Sequence, residues 1–396
     1  MRIAIFSDNF FPEISGISDS VITTGETLRK LGHEIVYVAP WYHEGAHALI
    51  KKKGGEDAHA ASYALPVKRL PSLPMKDSPT GQSRIVIPFG ASIPFLLRFK
   101  PDVIHTQSPF GVGLEALLAS RLLRVPLVGT NHTPIEEFVQ YSPLFGNRIA
   151  FFARKYFAWY YNRCVFMTAP FQGLIDRMRE VGLTVPAEAR ANPIPLETFH
   201  AVTIEERRKA KESISEQGPI VFYSGRLAPE KHVDVLVEAF ARVTHGIPNA
   251  ALYITGHGAQ EEILKAQAAR LGVKDKVHFM GFVAGAELMR LHEAADVFVI
   301  MSTAETQSLS LMKAFASSMP AIVARAGALP DYTPSECGFI VEPGDVEALT
   351  ARLLQLLNNE TLRVQMGEAG AAFVTKFSPE AIAQDWEETF ASVIKS

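Results

Sequence analysis

Cysteine is scarce: Cys164 and Cys337 are the only two in 396 residues. That rules out a disulfide framework and a cysteine-based zinc motif, and it predicts two buried thiols in a reducing compartment. No apolar run reaches the roughly 18 residues a membrane-spanning helix needs. Charge of one sign is not in excess. The net charge is −3, so nothing draws the whole molecule to nucleic acid, and contact with a membrane or polyanion has to come from a local patch. Low-complexity segments are missing as well. There is no G-x-G-x-x-G, which disfavours a dinucleotide-dependent oxidoreductase, and no Asp-x-Asp that would hold a metal beside a sugar nucleotide. The opening "MRIAIFSDNFF" has one basic residue and only a short apolar run. It reads as a first strand rather than a secretory leader.

What is present is a repeated alternation. "RIAIF", "GHEIVYVAP", "KPDVIHTQSP" and "VPLVGTNHTP" are short apolar runs rich in β-branched residues, and helix-like stretches such as "GLEALLASRLL" separate them. Strand, helix and strand in that order predict a parallel sheet with helices on both faces. The stretch from Tyr141 to Arg163 is predicted helical and is rich in aromatics and arginines. "ARANPIPLETFHA" carries two closely spaced prolines, which forbid regular structure and mark a linker. The alternation then restarts at "PIVFYSGRLAPEK" and runs to "CGFIVEPGD". The fold expected is α/β, two doubly wound halves: residues 1–194, residues 195–376, and a terminal helix over 377–396. In such sheets, ligands bind beyond the carboxyl ends of the strands.

Four loops at such ends carry candidate chemistry. Gly16 in "PEISGIS" precedes a helix, where bare backbone amides can approach a phosphate; a plain strand-to-helix turn reads equally well. His132 in "GTNHTP" ends a buried strand and can hydrogen-bond a substrate hydroxyl, or be structural. Arg226 and Lys231 in "SGRLAPEK" put two cations on one loop, which suits a departing diphosphate. In "STAETQSLSLMKAFA", a helix is predicted to start near Gln307 or Ser308. The amides of Gln307, Ser308 and Leu309 then form an anion site, with the Glu305 carboxylate beside it for sugar hydroxyls.

These motifs, together with "FPEISG", "KPDVIHTQSPFG", "NHTPIEEFVQY", "GHG", "HFMGFV" and "CGFIVEPGDVEAL", run nearly the length of the chain. The sequence resembles the retaining glycosyltransferases of the GT-B superfamily, in the group of bacterial mannosyl- and glucosyltransferases that includes lipid-modifying enzymes. The resemblance implies two Rossmann-like domains facing a central cleft, the first binding acceptor and the second binding nucleotide sugar, with the last helix crossing back to the first. It implies that Gly16 faces the donor phosphate, that His132 touches the donor sugar, that Arg226 and Lys231 neutralise the leaving diphosphate, and that Glu305 meets sugar hydroxyls. Gly225 and Gly256 would line the donor site, and backbone at Phe282 and Val283 would read the base. No cofactor or metal is implied beyond a UDP- or GDP-sugar donor.

One position departs from the pattern. Relatives carry a second glutamate where this chain has Lys313, and that carboxylate accepts from the ribose hydroxyls. Lysine donates and cannot accept. Ser308, and the pair Ser317 and Ser318, also stand where glycine is common. Three readings of Lys313 follow: a looser ribose grip, a less active member, or a donor held otherwise. A non-catalytic sugar-nucleotide or lipid-binding protein is therefore the alternative to a transferase.

The acceptor motifs resemble those of enzymes that glycosylate diacylglycerol or phosphatidylinositol-type lipids. Phe145, Phe151, Phe152, Tyr156, Phe157, Trp159 and Tyr160, interspersed with Arg148, Arg154, Lys155 and Arg163, form an aromatic and cationic patch suited to an anionic membrane interface. "IKKKGG" and "VKRLPSLPMK" add charge in the same half. A core helix with a solvated basic face is the competing reading. The expected location is cytoplasmic, peripheral on the inner face of the plasma membrane, with no nucleic-acid partner.

Overall fold

The computed structural model describes residues 1–13, 15–42, 65–74, 84–133 and 147–395. They form two compact units, divided after Pro193 and again after Ser378, with the residues from Pro379 on belonging to the first.

In the first unit the chain runs β1 (Arg2–Phe6), α1 (Gly16–Lys30), β2 (Glu34–Pro40), β3 (Val67–Leu70), a small pair β4 (Ser72–Pro74) and β5 (Arg84–Val86), and α2 (Ile93–Phe99). It continues through β6 (Val103–Thr106), α3 (Gly111–Leu123), β7 (Leu127–Thr130), α4 (Asn147–Tyr161), β8 (Phe166–Ala169), α5 (Gln172–Arg179) and β9 (Ala187–Ala189). Seven strands pair in the order β3-β2-β1-β6-β7-β8-β9. Every pairing is parallel. β1 and β6 are neighbours although distant in sequence, so the winding reverses between them, and a crevice opens beyond their carboxyl ends. Asp8, in the loop after β1, is 1% exposed. Its Oδ1 accepts from the Val112 amide at 3.0 Å, and its other oxygen accepts from Ser108. One carboxylate therefore caps α3 and ties the two switch-point loops together.

The terminal helix (Pro379–Lys395) packs on α1. Ile382, Ala383, Trp386 and Phe390 enter the core formed by Ile3, Ile5, Val21, Leu28 and Val103. Phe390 is fully buried, which is worth roughly 2–3 kcal/mol of transfer free energy. The last residues of the chain thus complete the hydrophobic core begun by the first.

The second unit, Ile194–Ser378, contains α6 (Ile204–Ser213), β10 (Ile220–Ser224), a 3-10 turn (Pro229–Lys231), α7 (Val233–Gly246), β11 (Ala251–Thr255), α8 (Glu261–Arg270), β12 (Val277–Gly281) and α9 (Gly285–Ala294). After these come β13 (Val297–Ile300), α10 (Leu309–Ala316), β14 (Ala321–Ala324), β15 (Gly338–Val341), α11 (Val346–Leu357) and α12 (Glu360–Val374). The strand order is β12-β11-β10-β13-β14-β15, again all parallel. The switch point falls between β10 and β13, the two strands followed by the "SGRLAPEK" and "STAETQS" loops.

The predicted aromatic helix is α4, and it divides differently from the expectation. Phe157, Tyr160 and Tyr161 are buried, while Phe151, Phe152 and Trp159 are exposed. The Tyr160 hydroxyl donates to the Gly113 carbonyl at 2.7 Å, and that of Tyr161 to the Thr130 carbonyl at 2.8 Å. Three of the seven aromatics of α4 thus belong to the core, because a helix on a sheet must bury one stripe. Phe145, the side chain of Arg148 and the lysines of "IKKKGG" lie outside the described residues. Both cysteines are buried and free, and burial pushes the Cys337 thiol up to about 11. Among the described residues no helix is long and apolar enough to cross a membrane.

Candidate active site

In the second unit, the switch point brings two loops together. Lys231 closes the 3-10 turn after β10, and its Nζ lies 2.6 Å from Glu305 Oε1 in the loop after β13; the side chains are 11% and 14% exposed. The ammonium also donates to Ser302 Oγ at 3.3 Å. The Thr303 amide donates to the Glu230 carbonyl at 3.0 Å, a second tie between the loops. Gly327 stands at φ 54°, and a Cβ there would lie 2.6 Å from the Glu305 carbonyl. Glu305 is thus held from two strand ends: Lys231 bonds its side chain, and on the other side the Ala328 amide donates to its carbonyl, with Gly327 packed against its backbone. Lys231 and Glu305 had each been expected to face ligand. The structure pairs them, so Glu305 is aimed by Lys231, and the carboxylate oxygen not bonded to Nζ remains for a hydroxyl.

Arg226 is the opposite case. Its guanidinium is 57% exposed and reaches Glu230 at 3.1 Å, a weak, screened contact from which it can turn to an anion. Its loop is shaped by close backbone packing. A Cβ on Gly256, which stands at φ 118°, would fall 1.9 Å from the Gly225 carbonyl, and one on Gly258 would fall 2.0 Å from that of Leu227. The glycines of "GHG" are therefore needed for loop-on-loop contact. His257 between them accepts the Phe282 amide at Nε2 (3.1 Å) and meets Glu261 at Nδ1 (3.0 Å). The Phe282 N–H, expected to face a base, is engaged by His257, a residue the sequence reading did not single out. Val283 next to it is buried.

α10 starts at Leu309, slightly later than predicted, because Ser308 is its N-cap: the Ser308 hydroxyl accepts from the Leu311 amide. Ser308 has φ −79°, which any residue adopts, so serine replaces glycine without backbone strain. Ser318 does stand at φ 53°, and its Oγ accepts from the Val202 amide at 3.2 Å. Lys313 lies roughly 7 Å along the helix from the cap. Its ammonium sits over the Phe199 ring, 5.1 Å from the centroid, and it forms no hydrogen bond to a described residue. Phe199 in turn meets His292 at 4.8 Å. Burial pushes the His292 imidazole down to about 3, with the Lys313 and Arg207 charges adding to the effect.

In the first unit, His132 follows β7 and is buried. Its Nε2 lies 2.8 Å from Gln107 Oε1 at the end of β6, so the ring donates to Gln107. The Gln107 amide abuts His105, and the His105 ring packs tilted against Trp386, 4.3 Å between centroids. The His132 ring is thus positioned through a chain of contacts that starts in the terminal helix. Burial pushes its imidazole down to about 4, so at neutral pH it acts as an uncharged hydrogen-bonding group. Gly16 opens α1, with Ser15 and Ser18 forming a reciprocal capping box around it. The Ser18 amide is consequently engaged by Ser15.

A pH effect follows. A histidine whose folded value is depressed contributes stability above its unfolded value near 6.5 and loses it as pH falls towards about 4. For His132 the loss is about 3 kcal/mol. Urea unfolding between pH 7 and pH 4 should show it, with a shallower slope in His132→Gln. Equal slopes in the two proteins would contradict a neutral buried ring.

Two family models match the sequence. "Glycosyltransferase Family 4" matches residues 14–197, and "Glycosyl transferases group 1" matches residues 204–373. A GDP-mannose-dependent alpha-mannosyltransferase of Mycobacterium tuberculosis is 30% identical over 88% of this chain and 85% of its own. The chain belongs to these glycosyltransferases. The alpha-monoglucosyldiacylglycerol synthase of Acholeplasma laidlawii is 28% identical over 82% of this chain and 80% of its own. The crystal structure of Anabaena HepE in complex with UDP superposes with a TM-score of 0.77, covering 99% of this chain and 100% of that one at 18% identity. The fold is GT-B, as the resemblance implied, and the enzyme class is sugar transfer.

Proposed function

We propose that this glycosyltransferase moves a hexose from a nucleoside-diphosphate donor, of UDP-glucose or GDP-mannose type, to a hydroxyl of a membrane glycolipid precursor. The acceptor would be a diacylglycerol or a phosphatidylinositol-type lipid, and the reaction retaining and metal-independent. The observation carrying this reading is the Lys231–Glu305 pair at the switch point, beside the capped start of α10. Arg226 and Lys231 neutralise the diphosphate as its bond to the anomeric carbon breaks. Glu305 accepts from sugar hydroxyls, and the Gln307, Ser308 and Leu309 amides favour the phosphate end. His132, uncharged, hydrogen-bonds the sugar, with Gly16 near the donor phosphate. The acceptor hydroxyl attacks from the face the diphosphate leaves, and a phosphate oxygen takes its proton. Support for the donor and acceptor classes comes from the relatives' names, one GDP-mannose-dependent and one a glucosyldiacylglycerol synthase. Calorimetric titration of the native chain with UDP and with GDP tests the reading: one should bind at about micromolar strength, and binding of neither would end it. Lys313 favours a second reading, a binding protein without turnover, which predicts nucleotide affinity but no transfer to any lipid acceptor.

The acceptor proposal places the protein on the inner membrane face. On α4, Phe151, Phe152 and Trp159 are 40%, 65% and 44% exposed. Lys155 and Arg163 lie against the Phe151 and Trp159 rings. Such aromatic and cationic pairs suit an anionic interface. Sedimentation with phosphatidylglycerol-containing vesicles should exceed that with phosphatidylcholine alone, and Phe152→Ser with Trp159→Ser should lower it about fivefold. Equal sedimentation with both vesicle types would remove the membrane from the proposal.

A further inference from the structure

The first unit contains a buried cation whose role the transfer reaction leaves open. Beyond the ends of β1, β6 and β7 lies a recess lined by, among others, Ser20, Gln107, Thr130, His132 and Arg190. Arg190 follows β9 directly, and its side chain is only 6% exposed. The guanidinium lies on the Trp386 ring, 4.4 Å from its centroid, which fixes its plane. Glu188 reaches Nη2 at 3.5 Å but is itself 60% exposed, so solvent screens most of that pairing. Asp385 and Glu388 act on the guanidinium only at longer range. Nη1 is buried and has no hydrogen-bond partner among the described residues. Among the described residues no aspartate or glutamate lines the recess.

Leaving a buried cation with an unused donor and little counter-charge is costly. A water molecule would satisfy the donor but leave the charge uncompensated. An oxyanion meets both needs, and the rigid planar fork of a guanidinium is matched to carboxylate, sulfonate and phosphate oxygens. Other polar groups of the recess include Ser20 from α1, Gln107 from the loop after β6, Thr130 from β7 and His132 from the loop after it. Hydroxyl and amide groups around one fixed cation can hold the atoms that carry the anion.

We propose that this recess binds an oxyanion carried by a substrate of the enzyme, with Arg190 as the residue that selects for negative charge. Calling the ligand a substrate rests on the transferase reading; the binding itself does not. A neutral hexose or a neutral diacylglycerol would leave Arg190 with only the screened Glu188 contact and the more distant Asp385 and Glu388. The substrate pair therefore includes an anion, either on the transferred sugar or on the acceptor head group next to the reacting hydroxyl.

The test is titration of the full-length chain with glucuronate, glycerol 3-phosphate and inorganic phosphate at constant ionic strength, with chloride as the control. The ring resonances of His132 and His105 report on the recess, and UDP and GDP titrations run in parallel report on the second unit. A saturable shift of the His132 ring is expected with glucuronate or with glycerol 3-phosphate. It should weaken about tenfold in Arg190→Gln and be partly restored in Arg190→Lys. A response to glucuronate assigns the anion to the sugar, and a response to glycerol 3-phosphate assigns it to the acceptor head group. A response to inorganic phosphate alone marks an adventitious ion only and overturns the proposal. So does the absence of any saturable shift in a native chain that still binds its nucleotide, or a shift unchanged in folded Arg190→Gln. If Arg190→Gln fails to fold, the native titration and Arg190→Lys still decide the question. Loss of nucleotide binding by the native chain would count against the transferase reading instead.

Discussion

Lys231→Ala is expected to lower the rate of sugar transfer by about a thousandfold or more and to destabilise the second unit by about 3 kcal/mol. Two effects act together. In the proposed reaction the ammonium stabilises the diphosphate only as it departs, and removal of one such preorganised donor typically costs about a hundred- to a thousandfold in turnover. The second effect is on Glu305. At 14% exposure and 2.6 Å from Nζ, its carboxylate would be left largely desolvated and unpaired. It would then turn away from the sugar. Lys231→Arg should retain part of the activity, because charge is kept while the geometry changes. Glu305→Gln should lose transfer with a smaller loss of nucleotide affinity, because the sugar contact and not the phosphate contact is weakened. In a double-mutant cycle the two residues should couple by about 2–3 kcal/mol in urea unfolding. Additive losses would mean that the pair does not act as a unit, and the site argument built on it would fall.

The second large effect is expected of Lys313→Glu, and it is a gain. Nucleoside-diphosphate affinity should rise about ten- to a hundredfold, the equivalent of roughly 1.5–3 kcal/mol, as two ribose hydroxyls find an acceptor. The structure adds a cost to that change. Lys313 rests on the Phe199 ring, so the variant gives up a cation–π contact worth about 0.5–1 kcal/mol. A carboxylate would also face His292 in place of an ammonium. The depression of its imidazole, to which the Lys313 charge now contributes, should ease. Calorimetry with UDP and GDP, beside a thermal unfolding midpoint, reads both terms. Tighter binding with a slightly lower midpoint is the expected pair of results. An unchanged affinity would show that the ribose is held elsewhere, and that Lys313 serves to hold Phe199 rather than to replace a lost clamp.

Much of the architecture was legible in the sequence. Apolar β-branched runs alternating with amphipathic stretches specify parallel strands and covering helices, and that periodicity is local. The loops that carry chemistry were legible for the same reason, because strand ends can be located from the pattern alone. His132, Arg226, Lys231 and Glu305 all proved to lie on such loops. The start of α10 was misplaced slightly, since serine can cap a helix or sit in its first turn, and only the Ser308 to Leu311 hydrogen bond separates the two.

The aromatic segment shows where sequence reading ends. Phe151 and Phe157 look alike in composition, but one faces solvent and the other the core, because the rotation of α4 is set by what packs beneath it. The same holds for the polar contacts. Lys231 reaches Glu305 across more than seventy residues of sequence, and His257 takes the amide of Phe282. Gln107 orients His132, and Trp386, near the end of the chain, carries Arg190 and His105 on its ring. The amino-acid sequence by itself determined the α/β class, the two-unit organisation, the family and which loops follow the strand ends, because each follows from short-range pattern or from motif. Tertiary structure alone decided which charges are paired, which amides are already engaged and which buried cation keeps an unused donor among the described residues, because those depend on strand order and on side chains meeting across the switch points.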